Sequence, residues 1–412
     1  MEYGLVGETL RHSYSGRVHA LIGGYRYGMA ELSPESFDSF ISAREYKALN
    51  ITIPYKKRVM PLLDLIDGAA MTAGAVNTVV NRGGRLCGYN TDVPAMEEAI
   101  SRAGIDIRGR TVLILGTGGT SATAKAVCDG CGAHAVTVSR HPCGDSLSYD
   151  DAVKIYAERE IVIINTTPVG MFPESDASPV ELRLFCRVAG VFDAIYNPVR
   201  TVLISEAKRR GIPCSGGMYM LARQAVLAAE LFFDKKYPAE LAADIADKIT
   251  REKTNVVLIG MPSCGKSTVG KKISELTGRE LYDTDLIFEN KLGIKPGEYI
   301  QIHGEADFRK KEAEIVRETA RLSGAVIATG GGSVLSEENV AALRRNGRLV
   351  FIDRPLSELT TDESRPLSCD AEKLAAMYAE RRPIYEAAAD DTVLFCGDGT
   401  ANEIILKTGI NK

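Results

Sequence analysis

Gly260-Met-Pro-Ser-Cys-Gly265-Lys266-Ser267-Thr268 lies between an apolar run, Asn255-Val-Val-Leu-Ile259, and a helical stretch beginning Val269-Gly-Lys-Lys-Ile. The run reads as a buried strand, so the pattern G-x-x-x-x-G-K-[ST] stands in the strand–loop–helix context that gives it meaning. Gly260 and Gly265 let the backbone curl until its N–H groups point at phosphate oxygens. The positive end of the following helix faces the same anion. In that geometry Lys266 reaches the β- and γ-phosphates, the Ser267 hydroxyl ligates Mg²⁺, and Thr268 closes the loop. A nucleotide phosphate is therefore expected here, late in the chain.

The chain has 412 residues, room for two or three domains, and an ordinary globular composition of 45% hydrophobic and 25% charged residues. A net charge of −4 leaves no basic footprint for nucleic acid or a membrane surface. Met-Glu-Tyr-Gly-Leu-Val-Gly at the start has neither the basic residues nor the apolar run of a signal peptide, and no long uncharged apolar run follows. A cytoplasmic enzyme is expected, with its nine scattered cysteines reduced. Cys128-Asp-Gly-Cys131 has redox or metal spacing, but no second Cys or His pair lies near it in sequence.

Upstream, residues 1–90 alternate short apolar runs with polar loops. Strands are expected at Tyr3–Gly7, Ala48–Ile53 and Ala75–Val80, and helices at Pro34–Ile41, capped by Ser33, and Lys57–Ile66. Polar clusters sit at the strand ends: Ser13 and Ser15, then Thr52 and Lys56 around Pro54, Asn77 with Thr78, and Asn90-Thr91-Asp92. A lysine and an aspartate converging on hydroxyl and amide groups suit a small polyol carboxylate whose proton must be moved.

A helix over Ala95–Ala103 leads to the apolar run Val112–Leu115 and then Gly116-Thr-Gly118-Gly119, a dinucleotide-binding βα turn. The next strand ends at Ser139-Arg140, where an NAD site would carry an acidic residue for the ribose hydroxyl. Arg140 suits a 2′-phosphate, and Ser139 adds a hydrogen-bonding group, so NADP(H) is favoured. Further strands end at Thr166-Thr167-Pro168 and at Tyr196-Asn197-Pro198, on the edge where such sheets bind ligands. A long helix runs from Gly216 through Met220 and Gln224 to Phe233, and a charged helix or linker over Ala239–Lys253 closes the first part.

These motifs, in this order, resemble shikimate dehydrogenase from residue 1 to about 248: Tyr-Gly-Leu-Val-Gly, Ser-x-Ser, Asn-Ile-Thr-Ile-Pro-x-Lys, Gly-Ala-Val-Asn-Thr, Asn-Thr-Asp, Gly-x-Gly-Gly and Asp-x-x-Tyr-x-Pro. The resemblance implies a substrate domain over 1–92, completed by the 216–248 helices, and a Rossmann NADP domain over 93–248. It implies Lys56 and Asp92 as the catalytic pair, with Ser13, Ser15, Thr52, Asn77 and Gln224 on the substrate. Gly116, Gly118, Gly119, Ser139, Arg140, Thr166 and Met220 fall to the cofactor. Two departures stand out: the stretch between Ala20 and Lys47 is short for the family, and Asp92 is followed by Val93-Pro94 rather than glycine.

Beyond a linker at 249–253, residues 254–412 carry Asp283-Thr-Asp285, Gly304-Glu-Ala-Asp-Phe308-Arg309, Thr329-Gly330-Gly331-Gly332, Arg365-Pro-Leu and Arg381-Arg-Pro-Ile-Tyr385, the last read as the opening of a final major helix. Side chains two apart on a strand share a face, so Asp283 and Asp285 act together, one toward Mg²⁺ and one toward an acceptor hydroxyl. Arg309 suits a carboxylate. With the phosphate loop these motifs resemble shikimate kinase, a parallel sheet flanked by helices. The resemblance implies that Asp285, Arg309, Gly331, Gly332 and Arg381 hold shikimate, with Asp285 orienting the attacked hydroxyl. Asp283 joins Ser267 at the metal, and Arg365 is a lid arginine on the phosphates of a lid that looks shortened.

The expectation is thus an α/β enzyme of two activities, with NADP(H), ATP and Mg²⁺ as cofactors and 3-dehydroshikimate and shikimate as substrates. No nucleic-acid or membrane partner is expected, and a homo-oligomer is compatible with the sequence. An NAD-preferring quinate/shikimate dehydrogenase fused to another small-metabolite kinase, and a metabolite-binding regulator with one inactive half, are the rival readings.

Overall fold

The structure is a computed structural model that describes residues 1–10, 13–359 and 371–410. The chain divides into two compact units, Met1–Ile249 and Thr250–Lys412.

The first unit contains two sheets. Six strands, β1 (Tyr3–Gly7), β2 (Gly28–Glu31), β3 (Ala48–Ile51), β4 (Leu65–Ile66), β5 (Thr78–Arg82) and β6 (Arg85–Tyr89), form a mixed sheet in the order β2-β1-β3-β5-β6-β4. The antiparallel pairs β3–β5 and β5–β6 sit among parallel neighbours. Five more strands, β7 (Thr111–Leu115), β8 (His134–Val138), β9 (Glu160–Asn165), β10 (Arg187–Asp193) and β11 (Cys214–Ser215), make a wholly parallel sheet in the order β11-β10-β9-β7-β8. Such a sheet is covered on both faces, which explains the unbroken apolar runs in β7 and β9. The helix Met218–Phe233 packs on the mixed sheet through Ala228 and Phe232 and on the helix Asp92–Arg102 through its other side.

The second unit is another all-parallel sheet: β12 (Asn255–Ile259), β13 (Leu281–Asp283), β14 (Val326–Ala328), β15 (Gly347–Asp353) and β16 (Asp391–Leu394), ordered β13-β14-β12-β15-β16. All five residues of β12 are buried, as befits the central strand.

Three local expectations change. Lys57–Ile66 is not a helix: turns lead to a short 3₁₀ segment, Met60–Leu62, and then to β4, which pairs with β6. Pro61 has no N–H to donate and its ring clashes with a helical carbonyl four residues back. Meanwhile Asp64 accepts a bond from the Leu86 N–H at 2.7 Å and draws the segment onto the sheet edge. Arg381–Tyr385 does not open the last major helix. It lies inside a helix spanning Ala371–Ala388, with Pro383 internal, and another helix, Gly399–Thr408, follows. Residues 371–382 are strong helix formers, so the helix begins well before the proline. Finally, residues 249–253, read as a linker, are the end of the helix Leu241–Lys253.

Val93-Pro94 leaves the linking helix intact. Asn90 Oδ1 accepts from the N–H groups of Asp92 and Val93 at 3.0 and 3.1 Å, and Pro94 falls in the first turn, where N–H groups have no helical partner.

The phosphate loop contains one strained residue: Ser263 has φ +61°, a left-handed conformation that costs a side chain roughly 1–2 kcal/mol. Ser263→Gly is expected to raise the stability of the second unit by about 1 kcal/mol, less the entropy that glycine adds to the unfolded chain. Equal or lower urea midpoints would contradict this.

In the first unit, Asp193 is fully buried at the end of β10, and burial pushes its carboxyl from 3.8 up to about 6. The folded state therefore holds this proton more tightly than the unfolded chain. The stability this confers is full below about pH 4 and is lost as pH rises through 6. Relative to Asp193→Asn, the wild type is expected to lose on the order of 2–3 kcal/mol between pH 4 and 7. The check is urea unfolding of the transition that NADP⁺ shifts upward; a pH-independent difference would be the contrary result.

Two candidate active sites

In the first unit a cavity of about 420 Å³ opens at the carboxyl ends of β1 and β3. Lys56 reaches it from the turn after β3, where its C=O accepts from the Val76 N–H at 2.8 Å. Asp92 reaches it as the first residue of the helix Asp92–Arg102. The Lys56 ammonium donates to Asp92 Oδ2 at 2.7 Å, and the two side chains are 24% and 11% exposed, a half-sheltered ion pair open to the cavity. Ser13, Ser15, Thr52, Asn77 and Gln224 line the same cavity, as does Met220, which had been assigned to the cofactor.

Asn77 also works behind the wall. Its Oδ1 accepts from the Thr91 N–H at 2.8 Å and the Thr78 hydroxyl at 3.0 Å, and its Nδ2 donates to Thr91 Oγ1 at 3.0 Å. It thereby fixes the residue before Asp92. Gln224 donates to the Leu221 carbonyl at 2.9 Å. Asn50 and Tyr196 line the cavity too, though neither was singled out as a ligand. Asn50 accepts from the Tyr27 hydroxyl at 2.7 Å, and Tyr196 packs on Tyr14 with ring centroids 5.2 Å apart. His19, one turn beyond Ser15, stacks on Tyr27, and burial pushes its pKa down to about 3, so it stays neutral and is no proton donor at working pH.

The cofactor turn lies at the reversal of the parallel sheet, where β8 and β9 flank β7, the crevice such folds use for ligands. Gly116 has φ +106°, and a Cβ there would come within 2.9 Å of Thr166 Oγ1. Thr166 donates to the Leu115 carbonyl from its N–H at 3.0 Å and its hydroxyl at 2.6 Å, locking the two strand ends together. At Gly118 and Gly119 a Cβ would meet nothing within 4 Å, so the N-terminus of the helix Gly119–Cys131 is left open to an anion. Arg140 is exposed beyond β8, while the Ser139 hydroxyl is engaged with the backbone of His141. An open helix N-terminus after β7 and an exposed guanidinium after β8 fit a dinucleotide bearing an extra phosphate.

In the second unit, Lys266 is buried and folded over its own loop, donating to the carbonyls of Gly260 and Met261 at 2.9 Å each. These are placeholder partners for an ammonium that a phosphate can recruit. The exposed Ser267 hydroxyl donates to Asp283 Oδ2. The carboxylates of Asp283 and Asp285 do not share a strand face as their i, i+2 spacing suggests. The strand ends at Asp283, whose Oδ1 caps the helix Thr284–Leu292 by accepting from the Asp285 N–H at 3.0 Å, and Asp285 stands in the first turn of that helix. Two oxygen donors meeting beside a phosphate cradle fit Mg²⁺, which takes oxygen ligands and keeps much of its water. Among the described residues no cluster of three or more metal-binding side chains exists, so phosphate and water would have to complete the shell.

The three glycines bring the acceptor groups together. A Cβ on Gly330 would lie 2.8 Å from Glu312 Oε1 and 2.9 Å from Asp285 Oδ1. One on Gly331 would strike Pro262 of the phosphate loop, and one on Gly332 would overlap the Arg309 guanidinium. Arg381 and the Tyr385 hydroxyl approach the Gly331 carbonyl. Glu312 stands one turn after Arg309 on the helix Glu305–Ala320, as the spacing of the two residues predicts. It is buried, accepts from Arg309 at 2.7 Å and from Ser333 at 2.7 Å, and so aims the guanidinium. Arg381 is 7% exposed, and among the described residues its Nε has no hydrogen-bond partner, a buried cation suited to an anionic ligand. Arg365 lies outside the described residues, as does most of the lid stretch.

Among the described residues no helix is long and apolar enough to cross a membrane. The family model of the shikimate dehydrogenase substrate binding domain matches residues 5–79, and that of shikimate kinase matches residues 262–408. A shikimate dehydrogenase (NADP(+)) from Caldanaerobacter subterraneus subsp. tengcongensis is 32% identical over 268 residues, 58% of this chain and 95% of the relative. Among solved structures, shikimate dehydrogenase 1 from Peptoclostridium difficile is 32% identical with a TM-score of 0.54, covering 60% of this chain and 97% of that one. The Thermus thermophilus shikimate 5-dehydrogenase in complex with NADP(H) and shikimate is 27% identical with a TM-score of 0.54, covering 60% and 99%. A chorismate mutase/shikimate 5-dehydrogenase fusion protein from Clostridium acetobutylicum is 30% identical with a TM-score of 0.55, covering 60% and 96%. The chain belongs to the shikimate dehydrogenase family and carries, after that part, a shikimate kinase domain.

Proposed function

We propose that this chain performs two consecutive reactions, reducing 3-dehydroshikimate to shikimate and phosphorylating shikimate at its 3-hydroxyl. The domains divide as 1–92 with the 216–248 helices for the first substrate, 93–248 for NADP(H), and 254–412 for the kinase. The observation that carries the reading is the Lys56–Asp92 pair at 2.7 Å, facing a cavity walled by hydroxyl and amide groups.

Bound NADPH supplies a hydride to the carbonyl carbon of 3-dehydroshikimate. As the carbonyl oxygen gains charge, the Lys56 ammonium donates a proton to it, and Asp92 holds that ammonium in place. Ser13, Ser15, Thr52, Asn77 and Gln224 hold the ring hydroxyls and carboxylate, which fixes the reacting face. Gly116, Gly118, Gly119 and Thr166 would hold the pyrophosphate side of the dinucleotide, Met220 would meet it from the cavity wall, and Ser139 and Arg140 would take the 2′-phosphate.

In the second unit, bound MgATP supplies the γ-phosphoryl group. Asp285 orients the 3-hydroxyl and accepts its proton, while Arg309 and Arg381 pair with the shikimate carboxylate over Gly331 and Gly332. Gly260, Gly265, Thr268 and Lys266 would cradle the phosphates, Ser267 and Asp283 would hold the metal, and Arg365 would add charge near the transferring group. The protein works here by position and charge.

Lys56→Ala is expected to lower NADPH-dependent reduction by about 10²-fold or more while phosphorylation continues, and Lys266→Ala is expected to do the reverse. Separate steady-state assays on each full-length variant make the check. A variant that kept its own reaction at the wild-type rate would overturn that site.

A further inference from the structure

Asp193 touches neither ligand in the reactions above, yet it joins the two walls of the first site. Its carboxylate is fully buried and accepts from Asn165 Nδ2 at 3.0 Å, Thr201 Oγ1 at 2.6 Å and the Ile195 N–H at 3.1 Å. Through Asn165 the network runs to the cofactor turn. Asn165 Oδ1 accepts from the Thr167 N–H at 3.0 Å and hydroxyl at 2.7 Å, and the adjoining Thr166 is bonded to Leu115 beside Gly116. Through Ile195 it runs to the substrate wall. The Ile195 carbonyl accepts from the Gly217 N–H at 2.9 Å, where the helix bearing Met220 and Gln224 begins, and Ala194 and Tyr196 line the cavity.

We propose that Asp193 is a positioning residue for hydride transfer, holding the dinucleotide turn at Gly116–Thr166 in register with the substrate wall at Ala194–Tyr196. The inference rests on the reductase reading of this site. Three donors converge on one point, and only a carboxylate offers two acceptor oxygens with no donor of its own. An apolar residue would strand all three donors in the interior. The turn and the wall would then settle independently, and a small misplacement of carbonyl carbon against nicotinamide costs rate steeply.

The test compares full-length wild type with Asp193→Ala, Asp193→Asn and Thr201→Val, measuring kcat and KM for NADPH and 3-dehydroshikimate, with shikimate phosphorylation by the same chain as the concentration standard. Asp193→Ala is expected to lower kcat/KM by about 30-fold or more, with both KM values rising together. Asp193→Asn should fall between, because its oxygen still serves Asn165 and Ile195 while the Thr201 hydroxyl can turn to accept. Thr201→Val should raise both KM values several-fold. A purely structural role would lower the melting temperature and the active fraction while leaving KM unchanged. A folded Asp193→Ala with both KM values within about twofold of wild type would overturn the proposal. If that variant does not fold, unchanged KM values in Thr201→Val would do so. A wild type without NADPH-dependent reduction would instead overturn the reductase reading, and it is told apart because wild type is measured in the same series.

Discussion

A parallel sheet ends its strands along one side, and both nucleotide motifs hang from such strand ends, while Lys56 and Asp92 stand at the mixed sheet. In the sheet of β7 to β11 the carboxyl ends carry Gly116, Thr166 and Asp193; in that of β12 to β16 they carry the phosphate loop, Asp283 and Thr329. The first N–H groups past the strands still bond to neighbouring strands, as at Gly116, Thr166 and Thr329, and the turns beyond them offer their N–H groups to phosphate. Closeness is then a matter of which residues lack side chains. Gly116 lets Thr166 close on the cofactor turn, and Gly330 to Gly332 let Asp285, Glu312, Arg309 and the phosphate loop crowd into one space.

Around these sites the protein keeps several charges away from water, each with a different compensation. Lys56 has Asp92, Arg309 has Glu305 and Glu312, and Asp193 has three neutral donors. Lys266 is satisfied by carbonyls of its own loop. Carbonyl oxygens are weaker partners for an ammonium than phosphate, so in the proposed kinase reading Lys266 would exchange poor contacts for good ones. Arg381, buried and with no partner for its Nε among the described residues, would stand in the same relation to a carboxylate. Groups that fold and stability alone would not bury in this way mark where ligands contribute.

Both sheets that hold nucleotide motifs, and the polar residues named for the cavity of the first unit, were legible in the sequence because their signals are local. A glycine turn between an apolar run and a helix declares itself within a dozen residues, and Lys56 and Asp92 stood out by residue type at strand ends. What failed also failed locally. The apolar spacing of Lys57–Ile66 matched a helix, but Pro61 and the pull of Asp64 on the Leu86 N–H sent it to a sheet edge. Pro383 looked like a helix start because proline favours first turns, whereas the helix had begun at Ala371. The spacing of Arg309 and Glu312, one helical turn apart, announced their pairing, but the bond from Ser333 to Glu312 spans 21 residues. The part played by Asp193 was hidden for the same reason: its partner Asn165 lies 28 residues away, and no spacing rule connects them.

The central claim is that the product of the first site is the substrate of the second. Purified chain given 3-dehydroshikimate, NADPH, ATP and Mg²⁺ together is predicted to form shikimate 3-phosphate, with one NADPH oxidised and one ATP consumed for each molecule formed. Without ATP the reaction should stop at shikimate. Oxidation of NADPH without any phosphorylated product, or consumption of ATP with no requirement for shikimate, would contradict the account.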